Sequence, residues 1–360
     1  MTLPTDPLFL VIAGLLGLHL GVTLLNTVYL RWRTPNVPPP DALPRLSVLI
    51  PARNEAHNLK RLLPQLSAQH YADVQFIIYN DGSEDSTQAV MEACRGDHRF
   101  TLLQGDGPPR GWIGKVHALY QASRHADGLL YLFLDADAGL PDPHALERLV
   151  GRFLQHPEDS VLTGLTQLTG GGMTLVSMVP HAILSLLPWP LVRPIRHQAL
   201  GALNGQCWMI RAEQYHQYEP HDHLRGAVLE DVEIGRYLKG QGLTPVLVDV
   251  QREVEIHMYR DLSEAWMGFQ KNAYLILGGR PISFLALWLF YGLTFVIGPL
   301  VYPMLLGPAW LLKFFTDRLC HLPWRISLLG PVSYALAWFV QADSARVHWT
   351  NKVTWKGRKV

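Results

Sequence analysis

"LYLFLDADAGL", Leu130 to Leu140, is an apolar run that ends in two carboxylates, Asp135 and Asp137. On an extended backbone, residues two apart project from one face, so the pair would be two anions side by side. A shared cation or a wet surface removes the repulsion. Hard oxygen ligands suit Mg²⁺ or Mn²⁺. A site with few protein ligands keeps positions open for a substrate diphosphate, and the ion would take up charge building on a diphosphate leaving group. The competing reading is a solvated turn before "GLPDP". A D-x-D triplet is too short to decide alone, so its place at the end of an apolar strand matters.

Upstream, the same pattern repeats. "LSVLI" (Leu46 to Ile50) reads as a buried strand stopped by Pro51, and "EAHNLKRLLPQLSAQ" follows with helical spacing. "VQFIIYN" (Val74 to Asn80) is the next strand. "SEDSTQAVMEAC" opens with serine and acidic residues, which suit a helix N-terminus. "FTLLQ" is a third strand, "GKVHALYQASRHA" a helix and "GLLYLFLDAD" a fourth strand. Alternating strand and helix predicts an α/β domain with a mainly parallel sheet. In such sheets ligands bind beyond the carboxyl ends of the strands. The clusters "PARNE", "NDGSEDS" and "DADAG" all follow strand ends, so they are expected to converge.

Each cluster has a chemical use and a plainer one. Asp81 can accept from a ribose hydroxyl or a base N–H, or sit in an ordinary Asp-Gly turn. Pro51, Ala52, Asn54 and Glu55 can meet a nucleobase edge, or Asn54 can cap the next helix. In "PPRGWIGKVHAL", Trp112 and Lys115 lie in a glycine-bearing loop. Lys115 can touch a phosphate or sugar, or be a first-turn lysine. The loop is not a P-loop, because Val116 stands where Ser or Thr is required. In "AVLEDVEIGRYLKGQG", Glu230 and Asp231 complement a helix dipole, or one of them is a general base. His257 is a candidate metal ligand or a structural strand-end histidine.

The whole chain has 360 residues, Lys+Arg 31 against Asp+Glu 30, 48% hydrophobic and 17% charged residues. The net charge of +1 excludes the basic footprint of a nucleic-acid binder. The cysteines, Cys94, Cys207 and Cys320, form no metal or disulfide pattern. "PLFLVIAGLLGLHLGVTLLNTVYL" (Pro7 to Leu30) carries no charge and can span a bilayer. Arg31 and Arg33 after it favour a cytosolic continuation. A second apolar region, Pro281 to Val340, predicts two or three further membrane segments. The expected organisation is an N-terminal transmembrane anchor at 1–33, a proline-rich linker at 34–44 and a catalytic domain at 45–270. An interfacial segment is expected at 173–197, C-terminal transmembrane or interfacial helices at 271–345 and a basic cytoplasmic tail at 346–360, where Trp355, Lys356 and Arg358 would anchor at headgroups.

The ordered set P-A-R-N-E, N-D-G-S-x-D-S-T, G-W-x-G-K, D-A-D, N-G-Q and E-D resembles glycosyltransferase family 2, inverting enzymes of the GT-A fold. "GWIGKVHAL", "LNGQCWMIRAEQY", "MYRDLSEAWMGFQKN" and "VTWKGRKV" are similar to its membrane-bound branch acting on carotenoids and related lipids. The resemblance implies a nucleotide-sugar donor, a UDP-sugar, held by the Pro51–Glu55 loop and Asp81. Asp135 would lie near ribose and phosphates, with Lys115 on the diphosphate. Asp137 would bind Mg²⁺ or Mn²⁺. Asp231 would be the catalytic base with Glu230 beside it. Trp112, Gln206, His221 and Gln270 would line the sugar and acceptor side. The Q-x-x-R-W signature of processive synthases is absent; "GFQKNAY" keeps Gln270 alone, which implies single transfer. "EPH" (Glu219 to His221) replaces the branch's Gly-Gly-His.

The implied acceptor is a membrane lipid: a carotenoid hydroxyl or carboxylate, or else a hopanoid, polyprenyl phosphate or glycerolipid. The enzyme would be a multi-pass membrane protein with its catalytic domain facing the cytoplasm. Three rivals fare worse. A nucleotidyltransferase would carry a glycine-rich phosphate loop near its N-terminus. A retired scaffold would have lost its acidic set. A flippase or channel would place ionisable residues in the spans.

Overall fold

The computed structural model describes residues 4, 6–34, 42–355 and 358–359. Most of the expected linker, and the tail residue Lys356, lie outside the described residues. The chain forms two compact units. One comprises Leu30–Gln167 and Leu191–His257; the other comprises Met1–Tyr29, Leu168–Pro190 and Met258–Val360.

The first unit is built on a seven-stranded sheet. In chain order its strands and their short companions are β1 (Leu46–Ala52), β2 (Val74–Asp81), β3 (Phe100–Gly105), β4 (Leu130–Leu134), β5 (Ala138–Gly139), β6 (Val161–Leu165), β7 (Gln167–Thr169), β8 (Cys207–Arg211), β9 (Pro245–Asp249) and β10 (Glu255–His257). The large sheet runs β3-β2-β1-β4-β8-β6-β9, with β8 antiparallel to both neighbours and every other pair parallel. The strands are apolar on both faces because helices cover both.

One face decides where the site lies. Leu49 of β1, Ile77 and Tyr79 of β2, Tyr131 and Phe133 of β4, and Trp208 and Ile210 of β8 pack with Ala118, Leu119 and Ala122 of the helix Gly114–Ser123. Each fully buried large side chain contributes on the order of 1.5–3 kcal/mol. Phe133 stacks on its cross-strand partner Trp208, with centroids 4.0 Å apart. Because side chains alternate along a strand, the row Ile77–Tyr79 continues to Asp81, and Tyr131–Phe133 points on towards Asp135. The helix start, carrying Lys115 and His117, stands over both row ends.

Two sequence expectations change. Pro51 does not stop β1: the strand runs on to Ala52, with Pro51 opposite Tyr79 and Ala52 opposite Asn80 of β2. The pairing of β1 with β4 ends at Leu49, so proline's missing N–H costs no ladder bond there. The two aspartates also do not share one face of an extended strand. The strand β4 stops at Leu134, and Ala138 N donates to Asp135 O at 3.1 Å, closing a turn. The chain then leaves for β5, which pairs antiparallel with β10. Asp135 and Asp137 therefore sit in different surroundings.

The second unit is helical. Among the described residues two helices, Pro7–Arg33 and Pro281–Val301, are long and apolar enough to cross a membrane. The second contains a π turn, Leu293–Ile297, just before Pro299, whose missing N–H the wider turn accommodates. Buried Asn26 explains a polar residue in the first: its amide donates to Leu184 O and Leu187 O, both at 2.8 Å, and accepts from Trp189 N at 2.9 Å. These bonds tie down part of the segment expected at an interface. Helices Leu262–Ile276, Leu306–Leu319 and Gly330–Trp349 also belong to this unit.

Candidate active site

Lys115 is the centre of the charged site. Its Nζ lies 2.7 Å from Asp135 Oδ1 and 3.0 Å from Glu230 Oε1. The helix Glu230–Gly240 thus delivers its first residue to a lysine that also holds the end of β4. Burial works against the ammonium, but Asp135 and Glu230 outweigh it and hold its pKa well above the usual lysine value. Burial raises the Asp135 carboxyl, and Lys115 offsets part of that rise. Asp231 is different. Its Oδ2 accepts from Gly205 N at 3.2 Å and its Oδ1 from Val232 N at 2.8 Å. Burial, then the neighbouring Glu230 charge, pushes its pKa up to about 6. A side chain at Gly205 would place Cβ 3.0 Å from Asp231 Cβ, so glycine leaves room for that carboxyl.

The loops after β1 and β2 are laced together. Ser83 Oγ accepts from Asn54 N, and Asn54 Oδ1 accepts from Glu84 N at 2.8 Å. Thr87 Oγ1 accepts from Glu55 N at 2.8 Å, and Asp85 Oδ2 accepts from Ala56 N. Asn54 has φ 52°, a left-handed backbone that asparagine tolerates. Its side chain holds the neighbouring loop instead of capping the next helix. Arg53 had no assigned role in the sequence; its Nη1 donates to Asp81 O at 2.9 Å and Gly82 O at 2.7 Å, fixing the backbone around Asp81. An arginine inside P-A-R-N-E was the available signal. Asp81 itself is buried at the end of β2.

Asp137 and His257 meet across the β5–β10 pair. His257 N donates to Asp137 O at 3.0 Å, and Ile256 stands opposite Ala138. Arg61, also unassigned in the sequence, donates to the same Asp137 carbonyl. Among the described residues no group of three or more His, Cys, Asp or Glu side chains converges as a ready metal cage. Asp137 and His257 are brought together through backbone groups, and between them offer one carboxylate and one imidazole.

The sugar-side candidates separate. Gln206 O accepts from Asp135 N at 3.2 Å, and its side chain accepts from Thr166 Oγ1 at 3.1 Å. His221 is fully buried against Phe133, Trp208 and Tyr215, with Tyr215 Oη 2.8 Å from Nδ1. Burial drives its pKa down to about 3, so the ring is neutral. Its Nε2 has no hydrogen-bond partner. Trp112 lies against His117 and Tyr120, with the Arg225 guanidinium 5.1 Å from its ring. Gln270 belongs to the helical unit, where its amide donates to Asp343 Oδ2 at 2.6 Å beside Trp266 Nε1 at 2.9 Å.

Residues 47–218, which run from the second residue of β1 through β8 and include the aspartate clusters and Lys115, match the family described as glycosyl transferase family 2. They form a family 2 glycosyl transferase domain. This glycosyltransferase is 26% identical over 268 residues to 4,4'-diaponeurosporenoate glycosyltransferase of Staphylococcus aureus strain MRSA252, covering 70% of this chain and 68% of the relative. The same enzyme from strain USA300 matches to the same extent. Among solved structures, the mannosyltransferase PcManGT from Pyrobaculum calidifontis, in complex with GDP-Man and Mn²⁺, superposes with a TM-score of 0.56 at 17% identity. That alignment covers 96% of this chain and 99% of the other. The mainly parallel α/β sheet of this glycosyltransferase is that of the GT-A fold.

Proposed function

We propose that the protein moves one sugar from a nucleotide sugar, a UDP-hexose, to a membrane lipid of carotenoid type, inverting the anomeric centre. The observation that carries this is the base beside the cation: Asp231, raised to about 6, next to Glu230, which Lys115 ties to Asp135. Asp81 and the Pro51–Glu55 loop would take the nucleoside, and Asp135 and Lys115 would face the diphosphate. The Staphylococcus aureus relative supports the lipid acceptor, the two long apolar helices support a multi-pass placement in the cell membrane, and Arg31 and Arg33 at the end of the first favour the catalytic domain on the cytoplasmic side.

The chemistry follows from these side chains. A lipid hydroxyl is a weak nucleophile until a base takes its proton in the transition state. Asp231 is ionised at neutral pH yet more basic than an ordinary carboxylate. It accepts that proton while the oxygen–carbon bond forms and the anomeric carbon–phosphate oxygen bond breaks. The electron pair leaves with the nucleoside diphosphate, where the Lys115 ammonium can meet the new charge. Glu230 holds Lys115 in place and keeps Asp231 basic. Asp137 and His257 would hold Mg²⁺ or Mn²⁺, which supplies further positive charge to the diphosphate. A carboxylate acceptor is already ionised and needs Asp231 less. Gln206, whose carbonyl accepts from Asp135 N, and Trp112 are assigned to the sugar and acceptor side.

The test uses membranes containing the protein, radiolabelled UDP-glucose, Mn²⁺ and a mixed lipid extract, beside Asp231→Asn. Label in an organic-soluble product, lost in the variant, is the expected result. No transfer and no release of nucleoside diphosphate, with other UDP-sugars and GDP-mannose also tried, would overturn the proposal in favour of a non-catalytic role.

A further inference from the structure

We propose that His117 is a specificity-determining residue which, together with Asp81, reads an N–H beside a C=O on the donor's nucleobase; this rests on the nucleotide-sugar assignment above. His117 is 8% exposed and is the fourth residue of the helix Gly114–Ser123, whose start overlies the ends of β2 and β4. Its ring meets Tyr79 edge-on at 5.9 Å and Trp112 at 5.4 Å. Tyr79 and Asp81 alternate with Asn80, so both point to the face this helix covers. Asn80 points the other way, to Gln88 and Gln104. The Tyr79 hydroxyl lies over Gly105, where a Cβ would come within 2.0 Å. The tyrosine thus has a fixed course across the end of β3, with the imidazole at its side.

The tautomer follows from the neighbours. The Gln121 amide nitrogen stands 3.3 Å from His117 Nε2 and can only donate, so Nε2 accepts. The proton then sits on Nδ1, and Nδ1 is buried with no hydrogen-bond partner. A buried N–H without an acceptor costs on the order of 1–3 kcal/mol, which a ligand carbonyl would relieve. Burial keeps the ring neutral despite the pull of Asp81. The ring is therefore a single donor rather than a cation.

Asp81 offers an acceptor and His117 a donor. Their complement is a base edge with an N–H next to a C=O. Uracil presents N3–H between carbonyls, and guanine presents N1–H beside O6. Cytosine has a bare N3 there and adenine a bare N1, each of which would face a carboxylate lone pair, and adenine has no carbonyl. Unpaired polar groups of this kind discriminate strongly.

The experiment measures binding of UDP, GDP, CDP and ADP to the full-length protein in detergent with Mn²⁺ present. Wild type is expected to bind UDP, GDP or both at least tenfold more tightly than CDP and ADP. His117→Phe is expected to lose about tenfold of the preferred affinity. His117→Asn, whose amide nitrogen falls near the imidazole Nδ1, should restore it, whereas His117→Gln should not. The wild-type comparison stands even where a variant fails to fold. Wild-type affinity for CDP or ADP as tight as for the better of UDP and GDP, or full retention of the preference in His117→Phe, would overturn the role of His117 alone. Wild type binding none of the four would overturn it together with the nucleotide-sugar donor.

Discussion

Asp231→Asn should make the protein less active and more stable, and the second effect tests the first. In the folded chain the Asp231 carboxyl titrates near 6, against an ordinary 3.8, because of burial and then Glu230. Folding with that group ionised is therefore unfavourable. At 1.36 kcal/mol per pKa unit the penalty above pH 6 is on the order of 2–3 kcal/mol. The sign is that of a raised acid. The folded state binds the proton more tightly, so this group's contribution to stability is greatest below about pH 4 and is lost as the pH rises through 6. Asparagine removes the charge and keeps the shape; its oxygen can still accept from Val232 N, and only the longer bond from Gly205 N is given up. Thermal unfolding of the ligand-free protein in detergent should give the variant a higher midpoint at pH 8 and no advantage near pH 4. Transfer to a hydroxyl acceptor should fall by about 10²–10⁴-fold, the usual worth of a general base, and kcat/KM of wild type should lose activity below about pH 6. A variant less stable than wild type at pH 8, with activity unchanged, would refute both the buried charge and the base.

Three other perturbations reach neighbouring parts of the site. Lys115→Met removes the cation that restrains Asp231, so the acid limb of kcat/KM should move to higher pH and the rate should drop; an unmoved limb would show that Lys115 and Asp231 are uncoupled. Asp137→Ala and His257→Ala should each raise the Mn²⁺ concentration for half-maximal transfer by about 10-fold or more, measured by titrating the ion, with Asp137 the larger effect. Gly205→Ala should cut kcat while leaving UDP affinity within about twofold, because its Cβ would meet Asp231 Oδ2 at 3.1 Å and displace the base rather than the donor loops.

The sheet was legible because its strands are apolar on both faces and each ends in a polar cluster. Period and punctuation sufficed to predict β1 to β4 and the helices between them. The reversed strand β8 was not legible, because antiparallel insertion leaves no mark in "CWMIR" that a parallel strand would lack. The same limit hid the turn at Asp135: a D-A-D triplet reads alike whether the strand continues or the chain departs for a second sheet. Asp231, Glu230 and Lys115 were found singly, by residue type and position. The fact that Lys115 joins Asp135 to Glu230 depends on contacts across about a hundred residues of sequence, which no local pattern encodes. Arg53 and Arg61 act on backbone carbonyls, and nothing in a sequence distinguishes an arginine that braces a loop from one that faces water.

The helix Gly114–Ser123 shows why both ends of a donor could be read by one element. Its apolar residues, Ala118, Leu119 and Ala122, lie on the sheet and fix its distance and rotation. Lys115, three residues before Ala118, is thereby held over the end of β4, and His117 over the end of β2. The two strands are separated only by β1, so roughly 10 Å lies between their ends at ordinary strand spacing. That span suits a nucleoside with its diphosphate. A shift of the helix would move cation and imidazole together. Core substitutions such as Leu119→Ala should therefore impair nucleoside and diphosphate recognition in concert, whereas Lys115 and His117 substitutions should separate them. Inhibition by UDP and by pyrophosphate, compared across the three variants, distinguishes a shared platform from two independent contacts.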